Sequence, residues 1–145
     1  MTQRAPRTIA VVDFGGQYTH LIARRIRNLG LFSAIVQPEN FDVAATTNLV
    51  GIVLSGGPQS VVDKQAPRLT FDPATVGVPV LGLCYGHQLL ATALGGKVVQ
   101  DSRREYGLAR ANCHGNSPLF KGMASEQAVW MSHGDHVEEL PAGAR

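Results

Sequence analysis

The sequence is poor in cysteine, in aromatic residues and in charge of either sign, and no long apolar run occurs. Two cysteines, Cys84 and Cys113, are present, and they do not make a close-spaced metal pair. No stretch approaches the roughly 18 consecutive apolar residues of a membrane-crossing helix. Met1–Arg7 lead into a strand-like segment without the apolar region of a secretory signal. Reduced thiols, a cytoplasmic location and no membrane partner are therefore expected. Charged residues are 17%, with 13 Lys+Arg against 11 Asp+Glu and a net charge of +2. That small, scattered excess does not favour a nucleic-acid partner. The densest basic cluster, Arg24, Arg25 and Arg27, falls on a helical pattern and reads as a solvated face.

What is present suits one α/β domain. The 145 residues are 44% hydrophobic, enough for a single core, with no internal repeat or low-complexity tract. Thr8–Asp13 is a continuous apolar run, as expected of a strand buried on both faces. Tyr18, Leu21, Ile22, Ile26 and Leu29 follow helical spacing, and Gly30 is a C-cap. Ser33–Gln37, Val50–Leu54 and Val78–Leu83 read as further strands, and Asp42–Asn48 as a short helix. Residues 59–76 read as loop with at most one helical turn. Leu89, Leu90, Ala93 and Leu94 mark a helix ended by Gly95 and Gly96. Lys97–Gln100, Leu108–Cys113 and Ala128–Ser132 read as later strands. Alternating strands and helices joined by short loops predict an open, mainly parallel sheet flanked by helices. Ligands of such sheets bind outside the carboxyl ends of the strands.

Two segments fall at such ends. The first is Gly82-Leu83-Cys84-Tyr85-Gly86, between a strand and a helix. It has the form of a nucleophile elbow, the sharp turn that lifts a nucleophile above a sheet. A cysteine there lies at a helix N-terminus, where the dipole favours thiolate over thiol. The alternative is a buried cysteine packing as a small hydrophobe, and the glycine frame argues against it. Cys113 lacks such a frame and reads as a packing residue. The second segment is Ser55-Gly56-Gly57-Pro58. The backbone N–H groups of Tyr85 and Gly57 are candidate oxyanion donors. A tight turn before proline is the simpler reading of the two glycines taken alone.

No histidine offers itself as a base. His87 follows Cys84 by three residues on the same helix and is expected to point away from substrate. His20 and His114 have no chemical context. His133 and His136, with Asp135, could suggest a metal, but three ligands within four residues and no fourth is a weak signal. A loop lining a substrate pocket is the preferred reading, and no metal is expected. Asp13-Phe14-Gly15 lacks the accompanying kinase motifs. Gly15-Gly16 lacks dinucleotide-binding spacing, and no Walker sequence occurs.

The motifs Val12–Tyr18, Leu54–Pro58, Gly82–Gln88, Arg104–Gly107 and Val129–Asp135 together resemble the class I glutamine amidotransferase domain. More narrowly they are similar to that domain in the GMP synthase (glutamine-hydrolysing) family. The resemblance implies a flavodoxin-like α/β fold, with residues 1–145 forming a partial glutaminase domain incomplete at its C-terminus. It implies that Cys84 attacks the side-chain amide of glutamine and forms a thioester, and that Gly57 and Tyr85 hold the oxyanion. Gln88, Ser132, His133 and Gly134 would bind the substrate glutamine. The ammonia would pass to an ATP-pyrophosphatase (synthetase) domain that aminates XMP to GMP. ATP and Mg²⁺ would belong to that domain, as would a homodimer contact; the glutaminase chemistry itself needs no cofactor.

In this family the base histidine and its orienting glutamate lie in a His-Pro-Glu segment downstream of Ser-His-Gly-Asp. No such segment occurs up to Arg145, so residues 1–145 alone are expected to lack activity. Two other readings stay open at this point: a different elbow-cysteine hydrolase of similar fold, and a non-catalytic chain that binds glutamine.

Overall fold

A computed structural model of the chain describes residues 5–113 and 117–144, with the side chains of 101–105 and of 133 outside the description. The chain divides into two units, Met1–Gln100 with Asp135–Arg145, and Asp101–Gly134.

The first unit is built on four parallel strands, β1 (Thr8–Val12), β2 (Phe32–Val36), β3 (Leu49–Leu54) and β4 (Val80–Gly82), in the order β2-β1-β3-β4. Two helices accompany them, α1 (Thr19–Asn28) and α2 (Tyr85–Ala93). Alternation along the strands separates two cores. Ala10 and Val12 of β1 pack with Ile52, Leu54, Phe14, Tyr85 and Leu89 on the α2 face. Val11 and Val53 pack with Ala23, Ile22 and Ile26 on the α1 face. Both faces of the sheet are thus covered, and this explains why β1 and β3 are apolar throughout rather than at alternate positions. The sheet is parallel and flanked by helices, as expected from the sequence.

Register carries the functional consequence. Val12 pairs with Val36 and Leu54, and Leu54 pairs with Gly82. All four strands therefore stop on one line. The loops after β1, β3 and β4 leave from the same rim, at the carboxyl ends of the strands.

The local signals behave as expected in most places. Gly30, at φ 81°, follows α1 in the left-handed conformation that glycine adopts without a steric penalty. Arg24 and Arg25 are exposed, while Arg27 reaches Ser33 Oγ through its Nε at 2.8 Å. Residues 42–48 depart from the expected helix and form turns. The Asp42 carboxylate accepts the N–H of Ala44 at 2.8 Å and of Ala45 at 3.3 Å, an alternative to helical bonding. Asn48, at φ 52°, then redirects the chain into β3. The strand expected over Val78–Leu83 is shortened to β4: it begins only at Val80, and Leu83 already belongs to the turn toward α2. Residues 59–76 are loop and turn, and hold Val61 and Ala66 in the core.

After α2 the chain forms β5 (Lys97–Asn112) and β6 (Glu126–Glu139), which make a two-stranded sheet. The separate strands expected at Lys97–Gln100 and Leu108–Cys113 are one strand, and Ala128–Ser132 is the middle of a longer one. Within the second unit Tyr106, Leu108, Arg110, Glu126, Ala128 and Trp130 are exposed, and Arg110 pairs with Glu126 at 2.5 Å. Cys113 is half-buried, its N–H bound to Ser125 O at 2.7 Å. Among the described residues no helix is long and apolar enough to cross a membrane.

Ile52, 1% exposed at the centre of the α2-side core, tests this packing. Ile52→Ala is expected to lower unfolding free energy by about 2–5 kcal/mol in denaturant titration. A loss below about 1 kcal/mol would place Ile52 outside a close-packed core.

Candidate functional site

Cys84 occupies the turn between β4 and α2, with φ 52° and ψ −113°. For a residue with a Cβ this backbone costs about 1–3 kcal/mol and persists only where its surroundings impose it. Here they do. Leu83 N–H donates to Leu54 O at 3.0 Å, and Gly86 N–H donates to Ser55 O at 3.1 Å and Leu83 O at 3.0 Å. Both ends of the turn are thereby tied to the end of β3. The flanking glycines have no substitute. A Cβ on Gly82 would sit 2.6 Å from Gly86 O and from His87 Cα. One on Gly86 would overlap the Leu54 carbonyl and lie 2.6 Å from Leu54 Cβ. The result is an exposed sulfhydryl above the rim of the sheet.

The loop after β3 lies alongside. A Cβ built on Gly56 would meet Cys84 Cβ at 3.5 Å, so the cysteine side chain stands directly beside this loop. The loop is in turn locked against the one after β1. Gly57 faces Phe14, with Phe14 Cβ 3.0 Å from where its own Cβ would be, and Gly16 faces the Gly56 carbonyl. Ser55, fully buried, accepts the Phe14 N–H at 3.1 Å, and its Oγ lies 3.2 Å from Thr19 Oγ1. Thr19 donates to Asp13 Oδ1 at 2.8 Å, which also accepts Gly15 N–H at 2.9 Å. Among the described residues, no acceptor takes the backbone N–H of Gly57 or of Tyr85. Among the described residues, two backbone donors thus remain free on the segments that flank Cys84.

The side chain of Tyr85 serves the fold. It is 1% exposed, stacks on Phe14 at 5.1 Å, and donates its hydroxyl to Pro67 O at 2.7 Å. Burial raises its phenol above the ordinary 10.0; Arg68 partly opposes this and Asp63 adds to it. Gln88, one turn along α2, is buried and donates its side-chain amide to Asp135 O at 2.8 Å. Asp135 is itself buried, and its carboxylate accepts a hydrogen bond from Ser60 Oγ.

Of the residues singled out from the sequence, Cys84, Tyr85, Gly57 and Gln88 belong to one unit, and the bonds above hold the first three at one rim. Ser132, His133 and Gly134 lie on β6 in the other unit; Ser132 is exposed and Gly134 half-buried. The stretch His133–His136 was expected as a loop, and its backbone is strand, part of β6. His20 and His87 are exposed and His136 is half-buried, while His114 lies outside the described residues. Among the described residues no group of three or more His, Cys, Asp or Glu is placed to share a metal ion. Sequence reasoning did not anticipate the Ser60–Asp135 bond or the Asp13–Thr19–Ser55 network. Only the two small polar residues that bracket Gly-Gly-Pro, Ser55 and Ser60, hinted at them.

A family model described as class-I glutamine amidotransferase matches residues 10–145. The chain is 48% identical over 136 residues to "GMP synthase [glutamine-hydrolyzing]" of Pyrobaculum aerophilum, covering 93% of this chain and 27% of that protein. It is 50% identical over 144 residues to the protein of the same name from Streptomyces avermitilis, covering 96% and 27%. The chain thus spans about a quarter of the length of the curated relatives it matches. Among solved structures it is similar to a Thermoplasma acidophilum protein provisionally assigned as one component of a GMP synthase. That match has a TM-score of 0.78 and 32% identity, over 97% of this chain and 71% of that one. A glutamine amidotransferase of Thermotoga maritima shares the fold at a TM-score of 0.73 and 18% identity, over 95% and 64% of the two chains.

Two substitutions test the elbow. Gly86→Ala drives a methyl into Leu54, and overpacking of this kind costs about 1–3 kcal/mol or more. A thermal unfolding curve matching the unsubstituted protein would contradict the contact. Tyr85→Phe removes one hydrogen bond, worth about 1 kcal/mol. It also removes a phenol that loses its proton less readily folded than unfolded. The unfolded chain releases that proton first as pH rises, so this contribution is full below pH 10.0 and is lost above it. Stability measured from pH 9 to 11 is expected to fall less steeply in Tyr85→Phe.

Proposed function

The chain belongs to the class I glutamine amidotransferase family, and from that premise we propose that it carries the glutaminase centre of a GMP-forming enzyme, with Cys84 as nucleophile. The observation that carries this reading is the left-handed backbone of Cys84 beside Gly56, on the rim where two backbone donors have no acceptor among the described residues. That arrangement suits acyl transfer.

The proposed chemistry takes its substrate from the family and its nucleophile and donors from the elbow. The Cys84 thiolate attacks the side-chain amide carbon of glutamine, and the carbonyl π electrons move onto oxygen. The N–H groups of Gly57 and Tyr85 stabilise that oxyanion, a contribution typically worth 10²–10³ in rate per donor. Collapse breaks the C–N bond. The nitrogen takes up a proton and leaves as ammonia, and a glutamyl thioester remains on Cys84. Water then attacks the thioester, the thiolate departs and glutamate forms. Proton transfers in this scheme need a base. The family resemblance assigns them to a histidine in a His-Pro-Glu segment, a sequence that residues 1–145 do not contain. Gln88, Ser132, His133 and Gly134 are assigned to substrate binding on the same resemblance. The Gln88 amide already donates one hydrogen to Asp135, which fixes its orientation on α2.

The names of the relatives support a wider role. Ammonia released here would aminate XMP in a synthetase domain that uses ATP and Mg²⁺, and the glutaminase step itself would need no cofactor. A thiol nucleophile must stay reduced, which suits the cytoplasm.

In the intact protein Cys84→Ala is expected to abolish ammonia release from glutamine and to leave GMP formation from added ammonia in place. Coupled assays with each nitrogen source separate the two activities. Glutamine hydrolysis at an undiminished rate in Cys84→Ala would remove Cys84 from the nucleophile's role.

A further inference from the structure

Gly57 is fixed on its β1 side by Phe14, and the adjoining Gly56 by Gly16, but the loop must also be held on the downstream side. Ser60, three residues on, provides the hold. Its hydroxyl donates to the Asp135 carboxylate, a contact between residues 75 apart in sequence, and its Oγ accepts the N–H of Val62 at 3.4 Å. The next residue, Val61, is 2% exposed in the core. Asp135 reaches the other wall as well, since its backbone carbonyl accepts Gln88 Nε2 at 2.8 Å. Gln88 in turn donates its N–H to Cys84 O at 3.1 Å. One residue therefore bonds to the loop that carries Gly57 and to the helix that begins directly after Cys84.

The choice of residue is informative. Asp135 is 7% exposed, and among the described residues no cation pairs with it. Burying a carboxylate beside a lone hydroxyl is a costly way to pack two segments, and an apolar pair of similar volume would do it at least as well. What a hydrogen bond adds over apolar packing is a fixed distance and direction. An oxyanion site requires that, because an ångström of misplacement can cost about 10²-fold in rate.

We propose that Ser60 and Asp135 form a clasp that positions the Gly57 N–H relative to Cys84, making both of them positioning residues for the amide-cleaving step. The proposal rests on the glutaminase reading above.

The test compares Ser60→Ala, Ser60→Thr and Asp135→Asn in the intact protein. Three quantities are measured: kcat and KM for glutamine hydrolysis, and the rate at which iodoacetamide alkylates Cys84. Alkylation needs the thiolate but no oxyanion site. Ser60→Ala is expected to lower kcat about tenfold with KM changed less than about twofold and with alkylation unchanged. Ser60→Thr, which keeps the hydroxyl, restores kcat. Asp135→Asn keeps an acceptor of the same size and loses less than Ser60→Ala. A wild-type kcat in Ser60→Ala overturns the clasp. So does a loss that Ser60→Thr fails to restore, or one matched by an equal fall in alkylation, since either marks general disruption. If the unsubstituted protein releases no ammonia from glutamine, the glutaminase reading fails, and the clasp's role fails with it.

Discussion

The backbone at Cys84 is the constraint on which the rest of this structure depends. Its φ of 52° and ψ of −113° are unfavourable for any residue with a side chain. That cost has to be met by neighbours, and the neighbours explain much of the local sequence. Gly82 and Gly86 are glycine because the turn folds back on itself and onto Leu54. Leu54 and Ser55 supply carbonyls to Leu83 and Gly86. The end of β3 is thus a template for the elbow. This works because the register of the sheet brings Leu54 level with Gly82.

From that point the site is a set of interlocked loops on a rigid base. Two apolar cores clamp the sheet from both sides and fix where each strand ends. The loops after β1 and β3 then meet glycine to backbone, and Ser55, Thr19 and Asp13 join them by hydrogen bonds. Tyr85 adds a third tie, from the elbow to Phe14 and to the Pro67 carbonyl. The backbone N–H groups of Gly57 and Tyr85, the oxyanion donors proposed above, belong to segments tied down by these contacts. Preorganised donors of this kind are effective because they need no reorganisation when charge develops on the substrate.

The sequence was readable where a feature is local. Strand β1, helix α1 and the elbow could each be recognised within about ten residues, from apolar runs, 3.6-residue spacing or a glycine frame. Errors came where side-chain chemistry overrode pattern. Asp42 binds its own downstream N–H groups and so turns an expected helix into turns. The polar stretch 101–107 looked like a break between strands, yet the backbone runs through it as β5. What could not be read at all depends on distant pairs. Ser60 and Asp135, or Thr19 and Ser55, meet only because the fold brings them together, and no periodicity announces either pair.

The central claim is that this strained cysteine is aimed at the side-chain amide of glutamine. The most direct measurement is covalent labelling with a glutamine analogue that carries a chloroketone in place of the carboxamide, read by intact mass and peptide mapping. A single adduct on Cys84, suppressed by free glutamine, is the expected result. Labelling that glutamine does not suppress, or an adduct placed on Cys113 instead, would contradict it.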